Sequence, residues 1–206
     1  MNHGVMISAE SSLERPYQRR RAAAPIVGMA LFIITEAMFF SAIVSAYLVT
    51  SSQSMAWPPT DMPTLPFELS ALNAGILLAS AILIWFSAKA RKAGKQERYL
   101  DLFSLGLIMG VFFLLIQGTE WIRMIDNGIY YNSDTFASFF YMIIGIHGIH
   151  VLGALLYLVL IYYKDNNSKI ATSGKEVFIS GCMLWYFVVA LWPILYTLVY
   201  LYPGVV

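Results

Sequence analysis

The chain alternates between long runs of apolar residues and short polar segments, and five of the runs are long enough to cross a membrane. They cover residues 26–49, 67–88, 102–121, 136–163 and 177–202. A helix needs about 20 mostly apolar residues to cross the hydrocarbon layer of a bilayer. The runs lack the two-residue alternation that is typical of a membrane β-barrel. The pattern therefore predicts an all-α membrane bundle with five transmembrane helices.

Lysine and arginine are concentrated in every second segment outside these runs. Their counts are four before the first run, then none, five, one and three in the connections, and none after the last run. By the positive-inside rule, this alternation places the N-terminus in the cytoplasm and the C-terminus outside. We therefore expect a cytoplasmic N-terminal segment at residues 1–25 and a five-helix transmembrane domain at residues 26–206. The first apolar run is also too long for the core of a cleavable signal peptide.

Composition supports the membrane class and excludes several functions. The chain has 206 residues, of which 59% are hydrophobic and 12% are charged, whereas soluble domains carry about 25% charged residues. The net charge of +1 gives no reason to expect nucleic acid as a partner. The single cysteine, Cys182, excludes a thiolate metal cage formed by this chain alone.

Three polar side chains fall well inside the predicted spans. Glu36 lies roughly 15 Å and His150 roughly 20 Å from the cytoplasmic ends of their helices, at about 1.5 Å per residue. Glu36 is a functional carboxylate or a neutral acid that fixes helix packing. His147 and His150 are three residues apart, so they share a helix face. They could relay protons, ligate a metal or form hydrogen bonds between helices, but one helix face cannot supply both axial ligands of a haem.

Other candidate residues lie near the ends of the spans. Glu120, together with Gln117, is expected to be a polar anchor between helices. With Glu36, His147 and His150, it is predicted to form or border one buried polar network. Trp57 and Trp121 lie where aromatic side chains commonly meet the membrane interface, so we expect them to make lipid or interface contacts. We predict no catalytic residue and no metal ligand.

Several strings resemble subunit III of the haem–copper respiratory oxidases, especially the cytochrome c oxidase branch. They occur in the family's order from about residue 25 to the C-terminus. The strings include GMALFIITEAMFF from Gly28, WPPT from Trp57, Gln117 with Glu120, GIHGIHV from Gly145, and the Trp192, Tyr196 and Tyr200 pattern. The helix count resembles the short five-helix bacterial form. In the resemblance, Glu36 matches the family's reactive buried carboxylate, and His147 and His150 match its paired histidines.

The resemblance implies a non-catalytic supporting subunit of a proton-pumping terminal oxidase in the bacterial inner membrane. Such a subunit packs on catalytic subunit I, binds phospholipid and supports proton uptake and stability. The resemblance implies that this chain holds no cofactor and that the partner subunits hold haem and copper. It also implies further partners, which are the other oxidase subunits or a respiratory supercomplex. The chain would then belong to an enzyme as one part of a complex.

The last predicted helix departs from the family pattern. Tyr186 and Val189 stand where the family commonly has a His and an Asp. This leaves open a subunit III-like companion of a nitric oxide reductase. Two further alternatives are an independent proton or ion transporter that uses Glu36 and the histidines, and a bare assembly or scaffold protein.

Overall fold

The computed structural model describes the backbone of residues 3–54, 57–59, 67–167 and 174–201, and the side chains from residue 24 onward within these ranges except for residues 67 and 68. Its helices are α1 (His3–Ser52), α2 (Phe67–Lys92), α3 (Gln96–Asp126), α4 (Thr135–Asn166) and α5 (Lys175–Tyr196), and a π-helical turn, Thr197–Leu201, follows α5. Within these described ranges, five helices are long and apolar enough to cross a membrane. The predicted all-α fold with five such helices is confirmed.

Helices α1 to α4 extend further than the apolar runs predicted, whereas α5 ends at Tyr196 and the rest of the last run forms the π-helical turn. The first candidate span, Ala24–Ser52, is the C-terminal part of α1, which begins at His3. The N-terminal residues therefore continue the first helix, although the side chains of residues 1–23 lie outside the described residues. The third predicted run, 102–121, lies within the longer helix Gln96–Asp126. An apolar run identifies the part of a helix that can lie in the hydrocarbon layer, whereas caps and turns determine where the helix ends.

Local signals explain two of the helix ends. At the end of α2, Gly94 has a φ of 70°, a left-handed conformation that glycine adopts without steric cost. This allows a three-residue turn, Ala93–Lys95, before α3 begins at Gln96. At the start of α4, the Asp134 carboxylate accepts a hydrogen bond of 2.8 Å from the backbone N–H of Ala137, which caps the helix.

Helix α5 lies at the centre of the bundle and contacts α1, α2 and α4. Its two large aromatic residues, Trp185 and Trp192, are almost completely buried. Glycine allows close approach here: a Cβ atom at Gly110 of α3 would lie 2.7 Å from Cη2 of Trp185. Lipid is as apolar as leucine, so close packing of this kind replaces the hydrophobic effect as the force that holds membrane helices together.

Helix α1 contacts α5 and α4, and much of its surface is exposed. Its outward-facing side chains are large and apolar, including Leu31, Ile34 and Met38. Buried contacts in its C-terminal half come from Phe40 and Tyr47. This helix therefore presents Glu36 between a packed core and an apolar outer face.

Candidate functional site

Glu36 of α1 and His150 of α4 form an ion pair or hydrogen bond within the predicted membrane layer. His150 Nε2 lies 2.9 Å from Glu36 Oε2, and the two side chains are 19% and 17% exposed. The ring of Phe40, one helical turn after Glu36, lies edge-on to the His150 ring at a centroid distance of 5.3 Å. The pair thus links the outermost helix to α4 at the edge of the core.

The second nitrogen of His150 determines how protons are arranged in the pair. His150 Nδ1 lies 2.8 Å from the backbone oxygen of Ile146, which can only accept a hydrogen bond. Nδ1 therefore carries a hydrogen and donates it to Ile146. The proton between Nε2 and Oε2 then belongs either to an imidazolium facing a carboxylate or to a carboxylic acid facing a neutral imidazole. In both arrangements the pair as a whole is neutral, and one proton can change its position within the pair.

His147 lies outside this pair. Its ring is 1% exposed and stacks on Trp192, with ring centroids 5.0 Å apart and planes inclined by 25°. Phe40 and Phe113 meet the ring edge-on at 6.5 Å and 6.4 Å. Neither ring nitrogen has a hydrogen-bond partner among the described residues. His147 thus packs as an aromatic side chain in the core.

Glu120 lies at the centre of a second polar cluster, which is fully buried. Its carboxylate accepts hydrogen bonds from Ser70 Oγ at 2.7 Å, from Gln117 Nε2 at 2.9 Å and from the Tyr200 hydroxyl at 3.3 Å. Asn73 Nδ2 extends the cluster by donating to the Phe113 backbone oxygen at 3.2 Å and lies 3.4 Å from Gln117 Oε1. The cluster joins α2, α3 and the π-helical turn.

The four residues predicted to form or border one buried polar network lie in different places in the structure. Within the part of the chain that the structure describes, Glu36 and His150 form one contact, Glu120 belongs to another cluster, and His147 joins neither by a hydrogen bond. Residues three apart on a helix differ by about 60° in direction. His147 can consequently face the core while His150 faces α1.

Trp57 and Trp121 both pack partly against protein. Trp57 Nε1 donates a 3.0 Å hydrogen bond to the Tyr47 hydroxyl, and its ring meets Phe136 edge-on at 5.4 Å. The Trp121 ring meets Tyr141 at 6.2 Å. Each tryptophan is only partly buried. Their contact with lipid or the membrane interface stays a prediction for the faces that protein leaves open.

A third polar cluster, which the sequence did not indicate, joins the helix ends near the α2–α3 turn. Asp165 of α4 is fully buried, lies 3.4 Å from Arg91 Nη2 and accepts a 2.7 Å hydrogen bond from the Tyr99 hydroxyl. The Arg91 guanidinium also lies over the Phe178 ring at 4.3 Å. One buried carboxylate thereby connects α2, α3 and α4, and Arg91 extends the contact to α5.

Comparison with known proteins identifies the family of the chain. A family model described as cytochrome c oxidase subunit III matches residues 6–204. The chain belongs to the cytochrome c oxidase subunit III family. Its relatives include a probable cytochrome c oxidase subunit 3 of Rickettsia conorii, which is 28% identical over 191 residues, or 85% of this chain and 66% of the relative.

Two antelope proteins named cytochrome c oxidase subunit 3 show similar identity. Those of Aepyceros melampus and Litocranius walleri are each 29% identical over 182 residues, which is 84% of this chain and 67% of each relative. The chain thus spans about two thirds of the length of these curated relatives. The match covers all five candidate spans of this subunit III.

The departures of this subunit III from the family pattern lie in a packed part of α5. Val189 is 4% exposed and belongs to the core, and Tyr186 is partly buried against it. Apolar packing therefore occupies the position for which the resemblance implied a polar contact. Among the described residues, no three His, Cys, Asp or Glu side chains are close enough together to hold a metal ion.

Two polar residues of the Glu120 cluster that the sequence analysis did not predict, Ser70 and Asn73, form a pair on one helix face, as the predicted Gln117 and Glu120 do. Ser70 and Asn73 are three apart on α2, and Gln117 and Glu120 are three apart on α3. Two such pairs on adjacent antiparallel helices are a signal for an interhelical cluster. The contribution of Tyr200 had no such signal, because it depends on the π-helical turn after α5.

Proposed function

We propose that this subunit III is a non-catalytic supporting subunit of a proton-pumping haem–copper oxidase of aerobic respiration. The observation that carries the proposal is the family match over residues 6–204, which includes every candidate span. The chain would pack on catalytic subunit I and would belong to the enzyme only as part of that complex. Other oxidase subunits, membrane lipids and a respiratory supercomplex are its proposed further partners.

The proposed cofactors of the complex, haem and copper, would reside in the partner subunits. The polar side chains of the described bundle support this division. Three carboxylates that are buried or mostly buried each contact a side chain of a neighbouring helix: Glu36 contacts His150, Glu120 contacts Ser70, and Asp165 contacts Tyr99. These groups join one helix to another. The molecule that we propose this chain binds is phospholipid.

We propose that Glu36 and His150 support stability and proton uptake rather than oxygen chemistry. The pair is partly exposed, and its 2.9 Å separation allows one proton to be shared between Nε2 and Oε2. A group of this kind can exchange protons with a neighbouring subunit without holding a redox centre. It also fixes α1, the most outward helix, to α4.

The proposed location is the bacterial plasma membrane, with residues 1–25 in the cytoplasm and the C-terminus in the periplasm. The distribution of lysine and arginine supports this orientation, because the segment between the second and third apolar runs, residues 89–101, carries five basic residues, whereas the segment between the first and second, residues 50–66, carries none. Residues 1–25 are proposed as a cytoplasmic segment and residues 26–206 as the transmembrane domain.

Gentle purification through an affinity tag on this chain tests the proposal. The complex is extracted in mild detergent and examined by native mass spectrometry and optical spectroscopy. We expect an oxidase that contains haem, copper and this chain, and we expect the haem and copper to stay with the partners when the chain is dissociated. Stoichiometric iron or copper on the separated chain would contradict the proposal.

The same experiment separates the alternatives. A stable lone protein that conducts protons or ions in liposomes would favour a transporter. A partner complex that reduces nitric oxide would favour the nitric oxide reductase companion. A chain that accompanies precursors but is absent from the mature, active oxidase would favour an assembly factor.

A further inference from the structure

The outward face of α2 changes character near the end of the helix. Leu78, Ile82 and Trp85 are 45%, 56% and 47% exposed, and Lys89 and Lys92 follow as exposed residues. These positions are spaced by four, three, four and three residues, which places them in one stripe along the helix. The stripe therefore runs from aliphatic side chains through an indole to two ammonium groups.

The side chains at the middle of this stripe mark the level of the lipid headgroups. The Lys89 ammonium lies over the exposed Trp85 ring, with Nζ 3.5 Å from the ring centroid. Exposed tryptophan is enriched at membrane interfaces, where its ring contacts acyl chains and its edge meets the headgroups. The contact between Lys89 and Trp85 consequently holds a positive charge at the depth where phosphates lie.

Among the described residues, positive charge is in excess at this corner. Between residues 89 and 101, the exposed basic residues are Lys89, Lys92, Lys95 and Arg98, and the exposed acidic residues are Glu97 and Asp101. The fifth basic residue of this segment, Arg91, points the other way, towards buried Asp165 at 3.4 Å. The structure thus separates one inward arginine from an outward basic surface.

We propose that this surface of α2 binds an anionic phospholipid, with Lys89 and Lys92 at the phosphate and Trp85 against the acyl chains. Charge complementarity identifies the occupant, because a basic surface directly beyond an apolar stripe matches a negative headgroup above apolar chains. The residues of the site lie on the exposed face of one helix, α2. The inference rests on the phospholipid binding proposed above as part of the function, and it requires only that α2 is inserted in a membrane, not that the chain is assembled with an oxidase.

Fluorescence quenching by brominated lipid tests the site directly. The chain, purified with whichever subunits accompany it, is reconstituted into phosphatidylcholine nanodiscs with increasing fractions of brominated phosphatidylglycerol or brominated phosphatidylcholine. The Trp85 signal is the difference between the wild-type protein and Trp85→Phe. The same difference is measured in Lys89→Gln, in Lys92→Gln and in Lys175→Gln, an exposed lysine at the start of α5 that serves as the matched control.

We expect phosphatidylglycerol to quench Trp85 at a lower mole fraction than phosphatidylcholine. Each interfacial lysine contributes about 1 kcal/mol to binding of anionic lipid, so Lys89→Gln and Lys92→Gln should each raise the half-quenching fraction about fivefold. Lys175→Gln should leave it unchanged. Equal quenching by both lipids, or an equal shift in Lys175→Gln, would overturn the proposal. So would the absence of quenching by either lipid, because another protein would then cover this face.

Discussion

The Glu36 carboxyl group and His150 Nε2 lie 2.9 Å apart and share one hydrogen bond, while His150 Nδ1 donates to the backbone oxygen of Ile146. This arrangement separates two roles that the pair could have. The hydrogen bond fixes α1 to α4, and the proton within it gives the pair its capacity for exchange. A substitution that keeps the bond but loses the exchangeable proton can distinguish the two roles.

Glu36→Gln is such a substitution. The amide can donate to neutral His150 Nε2, so the link between the helices persists while the acidic proton is lost. We expect the haem content and the thermal stability of the complex to stay near wild type, and proton uptake or turnover lifetime to change modestly. Haem per complex, thermal unfolding and the decay of oxygen consumption during turnover measure these effects.

Glu36→Leu is the matched variant that removes both roles. Interhelical polar contacts in membranes contribute roughly 0.6 to 1.7 kcal/mol, so this variant should unfold at a lower SDS concentration than Glu36→Gln. Complete loss of electron transfer in a normally assembled Glu36→Gln complex would contradict the supporting role. Equal stability of the two variants would show that the hydrogen bond does not fix α1.

Glu120 should be more important for stability than for turnover. Its carboxylate is fully buried and accepts hydrogen bonds from Ser70, Gln117 and Tyr200. In Glu120→Leu these donors lose their acceptor, and each unsatisfied buried group costs about 1–3 kcal/mol. We expect a clear fall in the free energy of unfolding in SDS titration. Glu120→Gln retains one acceptor oxygen and should be less affected.

Glu97→Gln is the control for Glu120, because Glu97 belongs to the same helix but is exposed. We expect it to unfold like the wild type. A Glu120→Leu protein as stable as Glu97→Gln would mean that the hydrogen bonds around Glu120 contribute nothing to the fold.

The sequence predicted the spans well because each depends on local composition. Runs of about 20 apolar residues suit lipid wherever they occur, and all five were found. The helix ends were less predictable, since α2 continues to Lys92 and α3 begins at Gln96 across a turn that depends on Gly94. Such turns depend on backbone geometry rather than on hydrophobicity.

Side-chain partners were harder to predict than spans, because they depend on how each helix is rotated about its axis. The depths of Glu36 and His150 made a contact possible, and the structure places them 2.9 Å apart. Depth could not reveal that His147 faces Trp192. It also could not reveal that the π-helical turn brings Tyr200 to Glu120, because a register shift in one helix leaves no periodic signal.

Gly110→Ala should destabilise the bundle by steric overlap. The added Cβ would lie 2.7 Å from Cη2 of Trp185 and 3.0 Å from Cδ1 of Leu155, both in the core. Overpacking of this kind costs about 1–3 kcal/mol, and SDS titration should show that loss. Gly118→Ala on the same helix is the control, since a Cβ there meets nothing within 4 Å. It should be neutral or more stable by up to about 1 kcal/mol.

Tyr99→Phe should weaken the cluster around Asp165 while preserving the packing of the ring. The hydroxyl donates a 2.7 Å hydrogen bond to a fully buried carboxylate, whereas the ring itself stacks on Phe103 at 5.5 Å. A hydrogen bond to a charged group contributes about 1.5–3 kcal/mol, and unfolding should shift accordingly. Tyr163→Phe, at a side chain that is 68% exposed, should have no effect. If Tyr99→Phe destabilised an Asp165→Ala protein, which has no side-chain acceptor, as much as the wild type, its effect would not arise from this bond.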